Sequence, residues 1–124
     1  MRRIGIVLGL LVLAALACSV EFSTAHFADA RMVKDAAGEQ TARTYRPTET
    51  FFCLTELKDA DGEVQVKAVW RNAENTVSEE TITTGNGNLH FEAEPPAEGW
   101  EKGGYSLELW LEGDKKKTLT FTVK

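Results

Sequence analysis

The chain has few of the side chains that most often carry chemistry. Its 124 residues include two cysteines, Cys18 and Cys53, and two histidines, His26 and His90. A disulfide framework of the kind that staples small secreted domains needs more cysteines than this. Only a Cys18–Cys53 bridge is open, and it requires the chain start to lie against the strand carrying Cys53. Neither histidine sits in a motif pairing it with a nucleophilic Ser, Cys or Thr, and no close ligand spacing marks a zinc site. Basic residues are outnumbered, 14 against 19 acidic, for a net charge of −5. An acidic surface repels nucleic acid and anionic headgroups, which excludes both as expected partners. Helical periodicity, internal repeats, low-complexity tracts and long linkers are all missing.

What is present begins with an address. Arg2 and Arg3 precede an uncharged stretch, Ile4 to Ala17, the pattern of an export signal. At 14 residues it is too short to cross a hydrocarbon core of roughly 30 Å, which takes about 20. The segment Leu13-Ala14-Ala15-Leu16-Ala17-Cys18 resembles the lipobox of bacterial lipoproteins, with Ala15 where Leu is usual and Leu16 where a smaller residue is usual. That resemblance implies cleavage before Cys18 and a lipid on its thiol, so the membrane is an expected partner through Cys18. Ala15-x-Ala17 also satisfies ordinary signal peptidase and Ala28-x-Ala30 offers a later cut, so plain secretion stays open beside an uncleaved anchor. Residues 1–17 are expected to be the signal peptide, in a helix, and 18–21 a tether. Ser19 in place of Asp favours the outer membrane or cell surface over the inner membrane. Of the 14 basic residues Arg2 and Arg3 leave with the signal, so the mature part has 12 against 19 acidic and a net charge of −7. Its 107 residues suffice for one domain with one core. A lipidated Cys18 leaves Cys53 unpaired in Phe51-Phe52-Cys53-Leu54, where it reads as a small buried hydrophobe.

Within residues 22–124 the hydrophobic period is two. Val64, Val66, Ala68 and Trp70 alternate with Gln65, Lys67, Val69 and Arg71, describing a strand with one buried face. Leu89-Phe91-Ala93, Tyr105-Leu107-Leu109-Leu111 and Leu119-Phe121-Val123 repeat the pattern. Phe51 to Leu57 gives a further strand, with Phe51, Cys53 and Leu57 inward. Phe22 to Lys34 predicts a first strand broken by a bulge, and Glu79 to Thr83 a short polar edge strand. Turns are written at Asp59 to Gly62, Gly85 to Asn88, Pro95 to Gly99, Gly103-Gly104 and Gly113-Asp114. About seven strands at this spacing predict an all-β antiparallel sandwich, with a small closed barrel as the rival.

Trp70 at the end of Val66-Lys-Ala-Val-Trp70 resembles the core tryptophan of immunoglobulin-like domains. Trp100-x-x-Gly103-Gly104-Tyr105-Ser-Leu-Glu-Leu is similar to the strand start of fibronectin type III and related bacterial modules, and Thr118 to Val123 to their closing strand. The paired cysteines of antibody domains are absent. The resemblance implies an immunoglobulin-like sandwich serving as spacer or binding platform, and such a fold does not settle function. Read physically, Trp70 belongs between the sheets, Tyr105 should hydrogen-bond a backbone carbonyl, and Trp100 should cap one end of the core.

No catalytic residue, cofactor or small-molecule substrate is expected, and no metal. Asp59-x-Asp61-Gly62-Glu63 lacks the later ligands of a calcium loop and reads as a turn. Glu79-Glu80, the later glutamates and Lys115-Lys116-Lys117 read as solvated faces. Val69 and Trp110 share outward parity on strands that should be neighbours, and Phe52 and Leu54 face outward on theirs. An apolar patch on a sheet's outer face marks a partner site, so these four are the candidate binding surface for a protein of the cell envelope. The expected function is that of a non-catalytic interaction or accessory lipoprotein. Two alternatives are an inhibitor of a secreted hydrolase, acting through Gly85 to Asn88 or Pro95 to Trp100, and a metal-dependent hydrolase using His26 and His90.

Overall fold

Alternation of apolar and polar residues becomes, in the computed structural model, eight strands and no helix across the described residues, 24–124. The expected signal segment, Cys18 and the expected tether to residue 21 lie outside these residues. The strands are β1 (His26–Val33), β2 (Thr44–Tyr45), β3 (Phe51–Lys58), β4 (Val64–Asn72), β5 (Asn75–Thr84), β6 (Gly87–Ala93), β7 (Gly103–Leu111) and β8 (Asp114–Val123). They form two sheets, ordered β1-β3-β6 and β2-β8-β7-β4-β5. Each sheet keeps free edges, so the strands do not close into a barrel. All pairings are antiparallel except that of β2 with β8.

The buried faces are those the alternation marks. Phe51, Cys53 and Leu57 of β3 are fully buried, as are Val66 and Ala68 of β4, with Trp70 at 1 % exposure. Tyr105, Leu107, Leu109 and Leu111 come from β7, Phe121 and Val123 from β8. These residues of both sheets form one cluster, the filling of a β-sandwich. Phe51 is its hub. Its ring stacks on Trp100 at 4.2 Å and meets Phe121, Tyr45 and Tyr105 edge-on at 4.7, 5.2 and 5.3 Å. Trp100 caps this end of the core, and its Nε1 donates to Glu49 O at 2.8 Å. The Tyr105 hydroxyl donates to Glu101 O at 2.7 Å, the backbone tie expected of it.

Three local features depart from the alternation. The bulge in β1 falls between Ala28 and Arg31, where Asp29 takes a φ of 54°. It restores Met32 to the core beside Cys53, and the Thr55 hydroxyl donates to Ala28 O at 2.9 Å. The eighth strand, β2, is two residues long and unreadable as a period-two pattern. Its Tyr45 hydroxyl donates to Val33 O at 2.6 Å in the other sheet, while Lys124 N and Thr122 N donate to Tyr45 O and Arg43 O. Finally, the polar edge strand runs from Asn75 to Thr84 and not merely from Glu79 to Thr83, because Ala73, with φ 55°, turns the chain directly out of β4.

Two crossovers between the sheets meet at one end. β3 passes to β4 through residues 59–63, and β5 passes to β6 through Gly85 and Asn86. The Asn86 side chain joins them, accepting from Ala60 N at 2.8 Å and donating to Ala60 O at 3.1 Å. A single amide thus supplies a bridge that backbone supplies elsewhere.

Candidate binding surface

The outer face of the five-stranded sheet is built by the positions alternate to the core. On β4 these are Lys67, Val69 and Arg71, and on β7 they are Glu108 and Trp110. β4 does lie beside β7, as the paired outward parity requires. The register, however, sets Lys67 opposite Trp110 and Glu108 opposite Val69. The Lys67 ammonium stands 5.0 Å from the centre of the Trp110 ring, a cation–π contact. Trp110 Nε1 donates to Glu108 Oε1 at 3.1 Å. The other oxygen of Glu108 lies 3.8 Å from Arg71 Nε and 3.7 Å from Lys115 Nζ. Trp110 is half-buried and held in place by these charged neighbours.

Val69 corrects the expected patch. It is 4 % exposed, between Glu79 on β5 and Glu108 on β7 and two positions from Lys67 and Arg71. Long side chains at those positions cover an inner-strand valine, so Val69 supports the face without offering surface. The sequence reading missed Lys67, Glu108, Arg71 and Lys115. Their role depends on the register, and above all on a bulge between Leu109 and Trp110 that puts Lys115 opposite Trp110. Alternation alone does not reveal such a slip.

Phe52 and Leu54 stand on the outer face of the other sheet, on the far side of the core, so the four candidates do not make one surface. Both are half-buried. The connection from β1 to β2 folds back over this face, and Gly38, with φ 71°, lies directly on Leu54. A Cβ on Gly38 would overlap Leu54 Cδ1, which is why that position has no side chain. Val33, paired with Phe52, is fully buried.

The remaining candidates are dispersed or committed. His26 on β1 pairs with Lys58, and His90 on β6 pairs with Leu54, on opposite edges of the three-stranded sheet. One ion cannot be held by both, and the described residues contain no group of three metal-ligating side chains. Cys53 is fully buried, and burial pushes its thiol up to about 12. It is an inert packing residue. Burial likewise raises the Tyr45 phenol, and that of Tyr105. Glu49 is held below the ordinary carboxylate range, first by the backbone N–H of Arg46 and then by Lys34 Nζ at 3.2 Å. Of the two loops expected to make inhibitor contacts, Gly85 to Asn88 is reduced to Gly85-Asn86 with the Asn86 amide engaged, and Trp100 of the other is packed inward.

No family model matches the chain, and no curated protein does. Solved structures share the fold. A β-glucosidase from Listeria innocua in complex with glucose aligns with a TM-score of 0.51 at 10 % identity over 81 % of this chain. An alkylpurine DNA glycosylase from Pseudomonas fluorescens, bound to DNA containing an abasic site analogue, aligns at 0.55 with 9 % identity over 87 %. A β-glucosidase involved in saponin metabolism from intestinal bacteria gives 0.50 and 17 % over 83 %. This chain spans 16 % of each glucosidase and 32 % of the glycosylase. At these identities the likeness is one of fold alone.

Proposed function

We propose that the chain is a bacterial cell-envelope lipoprotein, anchored by a lipid on Cys18 at the outer membrane or cell surface, whose immunoglobulin-like sandwich is a non-catalytic protein-interaction module. The strand order β1-β3-β6 against β8-β7-β4-β5, with Trp70 in the shared core, supports the immunoglobulin-like assignment. The observation that carries the interaction role is Trp110. It is a large aromatic on an outer sheet face, oriented by Lys67 and Glu108 and ringed by charges of both signs. Interface hot spots favour this composition, a fixed Trp within a polar, charged rim. A partner protein in the envelope would lay an apolar or mixed surface over the ring.

Two measurements test this reading. With an alkyne-bearing palmitate supplied to the cells, the wild-type chain should take up label and Cys18→Ser should not; equal labelling refutes the anchor. In pull-downs from native membranes, Trp110→Ala should lose at least about tenfold of a specific co-purifying protein, the cost of removing a hot spot of about 2 kcal/mol. Its thermal midpoint should stay within a few degrees of wild type. An unchanged set of bound proteins would count against the Trp110 face.

A further inference from the structure

The five-stranded sheet ends in two edges of opposite charge. β5 carries Glu79 and Glu80, follows Glu74, and has no basic residue. β8 opens with Asp114-Lys115-Lys116-Lys117. Glu79, Glu80 and the three lysines are exposed. Each edge repels a second copy of itself, since like charges facing across strands are unfavourable, whereas the two edges attract one another.

The register makes them fit. β8, β7, β4 and β5 are antiparallel in succession, so β8 and β5 run in opposite directions. A copy displaced sideways in the plane of the sheet therefore sets its β5 antiparallel to the β8 of the first. Glu80 lies level with Ala68, Leu109 and Lys117 across the sheet. Without any slip along the strands, Glu80 of one copy then falls opposite Lys117 of the next, and Thr81 opposite Lys115. The matched run extends from Asn75 opposite Phe121 to Ile82 opposite Asp114. Each strand has one bulged residue within it, Val77 in β5 and Lys116 in β8. Arg43 and β2 occupy the β8 edge from Phe121 onward, at the far end of this run, and Asp114 to Lys117 are exposed.

We propose that copies of this chain associate edge to edge, β8 of one beside β5 of the next, with Lys117 facing Glu80 across the junction. Such a contact is heterologous and does not close on itself, so it generates a row of copies and not a symmetric pair. This association uses neither Trp110 nor Cys18, so it stands or falls separately from the proposed function.

The test is oxidative cross-linking of the full-length chain carrying both Glu80→Cys and Lys117→Cys, expressed in a bacterial host. Facing residues of an antiparallel pair have Cα atoms about 4.5–5.5 Å apart, within disulfide reach. Inside one copy the two positions are three strand spacings apart, roughly 14 Å, so they cannot bridge. The double variant should give a ladder of dimers, trimers and higher species. Each single variant should give none above wild type, and the two single variants co-expressed should stop at dimers. The proposal is overturned if the double variant stays monomeric, or if single variants cross-link to the same extent.

Discussion

Phe51→Ala is expected to lower the free energy of unfolding by about 3–5 kcal/mol, the range for emptying a large aromatic from a core. Domains of this size are stable by about 5–15 kcal/mol, so the substitution removes from about a fifth of that stability to all of it. The reason is the position of the ring. Phe51 comes from the three-stranded sheet, yet its neighbours Trp70, Tyr105 and Phe121 belong to the other sheet, and Tyr45 and Trp100 to the short β2 and a crossover. Its loss leaves a cavity that the surrounding rings, each held by further contacts, cannot collapse to fill. Urea unfolding followed by tryptophan fluorescence gives the number. A cost below about 1.5 kcal/mol, the size of a volume-conserving swap, would mean that the two sheets are not coupled through this ring.

Alkali should destabilise the protein through Cys53 and Tyr45. Burial raises the Cys53 thiol from its ordinary 9.0 to about 12, and raises the Tyr45 phenol above its ordinary 10.0. Between those values the unfolded chain has lost protons that the folded chain keeps, so unfolding releases protons and rising pH favours it. The stability is whole below pH 9 and falls from there. A fully separated pair of pKa values costs about 1.4 kcal/mol per pH unit, first for the thiol and above pH 10 for the phenol also. By pH 11 the thiol alone, two pH units above its ordinary value, should cost about 3 kcal/mol, and the phenol adds to this loss. Urea midpoints measured from pH 8 to 11 provide the check. Cys53→Ala should start lower, for want of the buried sulfur, but decline with pH less steeply. A slope identical to wild type would show that the thiol does not stay protonated in the fold.

Much of this architecture could be read from residue order. β4 and β7 announce themselves because both have one fully buried face, and a strand half-buried along its whole length writes strict alternation. β2 could not be read, since its two residues are set by a Tyr45 hydroxyl reaching across to Val33 and not by any period. β5 was legible only in part because nothing along it is fully buried, so no apolar member marks its start at Asn75. For the binding face, parity put Trp110 outside, and the structure agrees. Parity also put Val69 outside, and there exposure failed to follow from orientation. A valine in an inner strand is hidden by the aliphatic stems of longer neighbours, and one strand's sequence does not say which neighbours those are. Leu54 differs again, being overlaid by a connection that meets it at Gly38, a residue that gives no apolar signal at all.

The parallel pairing of β2 with the end of β8 has a mechanical consequence. Tension drawing the segment before Thr44 away from the segment after Val123 slides these two strands along each other. The bonds from Thr122 N to Arg43 O and from Lys124 N to Tyr45 O then bear the load together. An antiparallel hairpin pulled at its open end would instead yield them in turn. With the Tyr45 ring wedged edge-on between Phe51 and Phe121, the slide must also drag an aromatic through the packed interior. The shortest strand is thus a latch against stretching.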